Sequence, residues 1–184
     1  MSRRTCLVIG VLALLMVPLA GATVLVALQV EDLAAMSPVV LVGEVNSVES
    51  GWNPPRTQIH TRVLITPLEV LKGPADLGTV KVKFLGGKVG DTVAQLPGAP
   101  RFEIGEKVLV FLEPRQDKDG YLPVGFYQGK YKVFTDPATK KEMLLRNGPD
   151  LGVKLVGGLS DNRPEAIKTL DEVRVILKRM GGVR

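Results

Sequence analysis

The chain has 184 residues, 45% hydrophobic and 23% charged, so it can bury a core and is not a disordered polymer. One cysteine and one histidine exclude a disulfide scaffold, a zinc finger and a Cys/His protease centre. Twenty-six valines and six isoleucines favour strands, and 20 glycines with 13 prolines, lacking any collagen-like period, supply the turns.

Residues 1–4 carry two arginines, and residues 5–30 carry no charge. The apolar run 7–19 has the length of a signal-peptide core, and Ala20-Gly21-Ala22 fits a small-x-small cleavage site. Cleavage after Ala22 is expected, giving an exported chain that is periplasmic or secreted. An uncleaved anchor is the alternative, since 26 uncharged residues can span a bilayer. Removing residues 1–22 takes away both arginines, the only cysteine and no acid, which leaves 162 residues at a net +3. A chain of that size can be held by its core alone.

Residues 29–37 (QVEDLAAMS) predict a short helix with Val30, Leu33 and Ala34 on one face, ended by Pro38. A long strand follows over 39–49, with Gly43 marking a bulge or bend. Residues 50–56 (SGWNPPR) read as a loop. The next strand, 58–72, places Ile59, Val63 and Ile65 on one face, but Leu68 and Val70 on the other parity. A one-residue bulge at Thr66-Pro67 would return both sets to one core. Residues 79–84 alternate, with Val80, Val82 and Phe84 inward and Lys81 and Lys83 outward.

Residues 86–101 are loop-rich, with a short strand expected over 92–96. After a tight turn at Gly105-Glu106, KVLVFL over 107–112 is apolar on both faces and reads as a central strand. Residues 117–120 turn the chain. Residues 127–135 alternate, with Tyr127, Tyr131 and Val133 opposite Gln128, Lys130 and Lys132. A terminal hairpin to 142–146 follows. Residues 150–162 read as a glycine-rich linking loop. The last helix opens with a Thr169-x-x-Glu172 capping box, carries the stripe Val173, Ile176, Leu177, Met180, and stops at Gly181-Gly182.

These elements predict a mainly β fold. Five or six antiparallel strands form a small OB-like barrel over 23–148, with a short N-terminal helix. Residues 149–184 add a linker and a C-terminal helix, and 1–22 the signal peptide.

Three stretches carry a resemblance: Val42–Val45 within PVVLVGEVNSVES, Glu69–Gly73 within TRVLITPLEVLKG, and Gly105–Phe111 within GEKVLVFL. With QGKYKVF at 128–134, this order resembles bacterial exported proteins of the TIMP-like (netrin-like) OB-fold family, over roughly 39–135. The resemblance implies an OB barrel. Animal members of that family chelate a protease zinc through an N-terminal cysteine, and here the expected mature chain starts at Thr23 and has no cysteine. Metalloprotease inhibition therefore does not carry over residue by residue.

His60 shares a parity with Gln58 and Arg62 and reads as an ordinary surface histidine; a lone ligand makes no zinc site. Trp52, the only tryptophan, lies in the loop beside the usual OB binding face. Two readings stay open for it: an exposed interaction hot spot, or a plug in the barrel end. Asn53 and the loop bounded by Pro97 and Pro100 are the accompanying contact candidates. Lys81, Lys83, Lys130 and Lys132 could form an outward stripe for anionic polysaccharide or lipid head groups, or simply a solvated face that guards sheet edges. Nine aromatics are too few for a stacking platform on single-stranded nucleic acid. QDKDG at 116–120 lacks the spacing of a calcium loop and reads as a hairpin turn. No serine lies in a Gly-x-Ser-x-Gly elbow, and no glycine pair precedes Lys-Ser/Thr.

The expectation is a non-catalytic exported binding module without cofactor or metal. Its partner would be another exported or envelope protein. An anionic polymer is the alternative, nucleic acid is not expected, and a membrane enters only if the leader is retained.

Overall fold

The computed structural model describes residues 23–148, 153–156 and 169–181. The expected leader and its cleavage point after Ala22 lie outside the described residues. Among the described residues no helix is long and apolar enough to cross a membrane.

A short strand, β1 (Thr23–Val26), leads into α1 (Val30–Met36), where Val30, Leu33 and Ala34 are buried as their spacing requires. The Gln29 N–H donates to the Asp32 carboxylate at 3.0 Å, capping the helix start. At the other end the Lys72 ammonium donates to the Ala34 carbonyl at 2.8 Å, a cation where the helix dipole favours one.

β2 (Val39–Trp52) and β3 (Ile59–Lys72) are antiparallel and 14 residues each. β2 runs three residues further than the sequence suggests, so Trp52 is its last residue rather than part of a loop. Gly43 sits where β3 comes close: a Cβ there would stand 2.6 Å from Ile65 Cγ2 and 2.7 Å from the Thr66 carbonyl oxygen. The register slips beside it, with Gly43 opposite Pro67 and Val42 opposite Glu69, which leaves Leu68 bulged. A second slip bulges Leu71. The bulge expected at Thr66-Pro67 falls at Leu68 instead, and it does not bring that side chain inward. Leu68 is 56% exposed, and the second slip buries Leu71 instead.

β4 (Val80–Leu85) pairs antiparallel to β3 and turns Val80, Val82 and Phe84 inward. β5 (Gly87–Val89) and β6 (Thr92–Ala94) form a separate hairpin. β7 (Lys107–Pro114) pairs antiparallel to the first half of β2. β8 (Tyr121–Pro123) closes the ring in the order β2-β3-β4-β8-β7, an OB-like five-stranded barrel. β8 is antiparallel to β7 but meets β4 in a parallel pair, Val82 with Tyr121. This corrects the all-antiparallel expectation for a simple reason. Strands cannot alternate direction around a ring of odd number, so one seam must be parallel.

A 3-10 turn (Phe126–Gly129) follows, then β9 (Lys130–Thr135) on β7 and β10 (Glu142–Leu145) on β9. β11 (Val153–Val156) pairs in parallel with β1, inside the stretch read as a linking loop; the rest of 149–162 lies outside the described residues. α2 (Leu170–Arg179) has its capping box formed: the Glu172 N–H donates to Thr169 Oγ1, and the Thr169 N–H to the Glu172 carboxylate, both at 3.2 Å.

Two cores share β2 and β7. Val39, Leu41, Val45, Val108, Val110 and Leu112 fill the barrel. Val40, Val42, Leu109 and Phe111 face the other way and meet α1 and α2. That double burial is why KVLVFL is apolar throughout. In the α2 stripe Leu170, Val173 and Leu177 are buried, while Met180 ends it exposed. Arg174 fastens the helix to β3 by two bonds to Glu69, at 3.1 and 2.6 Å.

Candidate functional site

Trp52 lies directly opposite Ile59, Ser50 opposite Thr61, and Val48 opposite Val63. Directly opposed residues share a face, so Trp52 stands on the barrel-interior face, at the open end where the β2–β3 ladder runs out. Its ring is 40% exposed. It therefore borders the mouth rather than sealing it, which argues against the plug.

The mouth is a cleft of about 270 Å³. Trp52 and Ile59, directly opposed, form one wall, and Leu85 also lines the cleft. Thr92, Ala94 and Leu96 form the other; they alternate along β6 and its extension and so share one face. Gly86 lies between the walls. Its N–H donates to the Ile59 carbonyl at 2.9 Å, and its carbonyl accepts from Thr61 Oγ1 at 2.7 Å. Ser50 Oγ and Thr61 Oγ1 are 2.9 Å apart. A Cβ on Gly87 would fall 2.3 Å from Ser50 Oγ, so only glycine lets the hairpin approach there. Ile59, Leu85 and Leu96 were not singled out in the sequence, where each reads as ordinary core or loop. The one sequence signal was the Gly86-Gly87 pair, which marks a close backbone approach.

Asn53 is occupied by its own turn. Its Oδ1 accepts from the Thr57 and Gln58 N–H groups at 2.8 and 3.0 Å, and its Nδ2 donates to Thr57 Oγ1. It shapes the loop beside Trp52 rather than offering free hydrogen bonds. Pro100 is buried and Pro97 half-buried, so Pro100 is corrected from contact candidate to structural residue. The cleft wall from that loop is Leu96, one residue before Pro97.

The lysine stripe is not a free cationic face. Lys81 and Lys83 both bond Asp119, Lys83 at 2.7 Å. These two cations hold the Asp119 carboxyl down at about 2. Lys132 stands 3.8 Å from Glu103. Lys130 is a correction: it is buried, with side chains 3% and 4% exposed for Lys130 and Glu106, and the pair is 2.8 Å apart. The alternation holds along β9, with Tyr131 and Val133 on the helix-side core and Lys130 and Lys132 opposite Val110 and Val108; Lys130 is buried because Phe102 and Glu106 cover its face. Gln128, expected outward, is buried because 126–129 wind as a 3-10 turn rather than continuing the strand.

QDKDG is the expected hairpin turn. Arg115 bonds Asp117 through two contacts, 2.9 and 2.8 Å, and donates to the Lys83 carbonyl at 3.1 Å. That bonding holds the Asp117 carboxyl well below the usual range. His60 is half-buried rather than freely exposed, and its Nδ1 has no hydrogen-bond partner. Burial first, then the Lys83 and Arg115 cations, hold its imidazole below the ordinary histidine value. Among the described residues no three His, Cys, Asp or Glu side chains gather where a metal could sit.

In comparisons with known proteins, no family model matches this chain and no curated protein matches it.

Proposed function

We propose that the chain is an exported, non-catalytic binding module. It captures a polypeptide partner by taking an apolar side chain into the cleft between Trp52 and Ile59 on one side and Ala94 and Leu96 on the other. One observation carries the reading: the only tryptophan is 40% exposed on the rim of an open apolar cleft at a barrel mouth. A large ring that is half in and half out is the side chain that most often dominates protein interfaces. OB folds bind on the face of their second and third strands and the loops beside it, and the turn after Trp52 is such a loop. Export rests on the leader, and the resemblance to TIMP-like OB proteins agrees with a binding role without supplying a partner. The ion pairs of Lys81, Lys83, Lys130 and Lys132 set the polyanion reading second, since each cation already has a carboxylate.

The test compares the purified protein with Trp52→Ala as bait against envelope and medium fractions, with thermal melting alongside. The reading expects a protein held at high salt by the native chain and weakened at least about 30-fold by the substitution, the scale of a hot spot. The melting point should fall by only a few degrees. Equal capture by both baits, or release of anionic polymer alone at low salt, contradicts it.

A further inference from the structure

β1 and β11 form a two-stranded parallel ribbon, from Thr23 opposite Val153 to Val26 opposite Val156, apart from the barrel sheet. Such isolated pairs are marginal in water, and parallel pairing is the weaker kind. The next residues fasten the segment to the barrel. Gln128, 1% exposed, donates from Nε2 to the Val26 carbonyl at 2.9 Å and accepts at Oε1 from the Leu28 N–H at 2.8 Å. Arg146 Nη2 donates to the Leu28 carbonyl at 3.1 Å. One buried amide thus holds two backbone groups as a neighbouring strand would. Leu28 itself packs on the helix-side core.

The turn that carries Gln128 also supports the cleft wall. The Tyr127 N–H donates to the Gly98 carbonyl at 2.9 Å, and the Ala99 N–H to the Leu96 carbonyl at 2.9 Å. Leu96 lines the cleft. From the opposite side Leu25 lies against Gly98: a Cβ there would stand 3.0 Å from Leu25 Cδ1, and Gly98 has a φ of +82° that favours glycine. Segment 23–28 and the cleft wall therefore share one support.

We propose that residues 23–28 act as a strap that sets the shape of the Trp52 cleft. Seated, the strap presses Leu25 on Gly98 and holds Leu96 in the wall. Released, it frees the 96–100 loop and the cleft widens. The proposal builds on the binding reading above by naming what controls that site. The strap has the character of a low-stability unit, with Val26 65% exposed and its strand in an isolated two-stranded pairing. Ordering and release of such a segment is a recurrent way to gate a surface.

Trp52 is the only tryptophan, so its emission reports on the cleft without any partner. The test uses the purified protein, Leu25→Ala and Gln128→Ala. Hydrogen exchange at residues 24–28 reads the strap, and acrylamide quenching reads Trp52. Both substitutions should speed strap exchange and raise the quenching constant. The ceiling is about 2.5-fold, the step from 40% to full exposure. Where Gln128→Ala fails to fold, Leu25→Ala carries the test, because it trims a half-buried side chain only. Faster strap exchange with unchanged Trp52 quenching overturns the proposal, and so does unchanged exchange in a folded Leu25→Ala. A cleft that answers to the strap yet captures no protein would leave this inference standing and remove the binding reading instead.

Discussion

Replacing Glu106 by glutamine tests the buried ion pair, and with it the correction to the lysine stripe. Lys130 Nζ lies 2.8 Å from one Glu106 oxygen and 2.9 Å from the other. The Glu103 N–H also donates to the carboxylate at 2.9 Å, and the Phe102 ring centre is 5.4 Å from the ammonium. At an effective dielectric of about 20 the attraction at this distance is about 6 kcal/mol, and desolvating each ion costs several kcal/mol. The pair is thus near balance, and an apolar pair of the same size would fold about as well. Orphaning the lysine is different: it should cost about 3–5 kcal/mol. At roughly 2–4 °C per kcal/mol for a chain of this size, Glu106→Gln should melt roughly 6–20 °C lower. The double variant Glu106→Gln/Lys130→Met should recover most of that loss. Urea and thermal melts of the four proteins provide the cycle. A Glu106→Gln protein within about 1 kcal/mol of the native one would refute the argument, since an exposed pair contributes no more than that.

The pH dependence has a definite sign. Burial, the larger cause, holds the Lys130 ammonium below the usual lysine value, against the pull of Glu106. The unfolded chain therefore binds the proton more tightly, and stability from this group rises with pH between the lowered folded value and the unfolded one. The deficit of Glu106→Gln should shrink as pH approaches 10, read by urea melts across pH 7–10. Gly43→Ala places a Cβ against Ile65 Cγ2 and the Thr66 carbonyl, and should cost about 1–3 kcal/mol in a urea melt. Asp119→Asn frees Lys81 and Lys83 and should raise the salt needed to elute the protein from dextran sulfate, with little change in stability, since exposed pairs contribute little. Because Lys81 and Lys83 hold the Asp119 carboxyl down at about 2, it stays charged at pH 4, and the difference in retention between Asp119→Asn and the native protein should persist from pH 7 to 4.

The parts legible in the sequence were those with a local cause. Val30, Leu33 and Ala34 announce α1 by their spacing, Thr169 and Glu172 announce the start of α2, and KVLVFL shows a strand buried on both faces. Gly43 beside a proline-bearing strand marked the bend where β2 and β3 approach. What was not legible depends on distant partners. A second bulge at Leu71 cannot be seen without β2 beside it, so Leu68 was placed inward. Lys130 lies on the face the sequence predicts, but Phe102 and Glu106, the latter 24 residues away, cover that face and accept it. The β1–β11 ribbon joins segments about 130 residues apart, and no local pattern records a parallel pairing of that span. Of the candidate site, Trp52 was found by rarity, whereas the lining by Ile59, Leu85 and Leu96 emerges only when three strands and a hairpin converge on the barrel mouth.

The most direct test of the cleft as the contact surface is the emission of Trp52 during titration with the protein that the native chain captures. A saturable blue shift with protection from acrylamide, absent when Ala94→Asp blocks the opposite wall, is the predicted result. Saturable binding seen by calorimetry while Trp52 emission and quenching stay unchanged would place the partner elsewhere on the barrel and contradict the account.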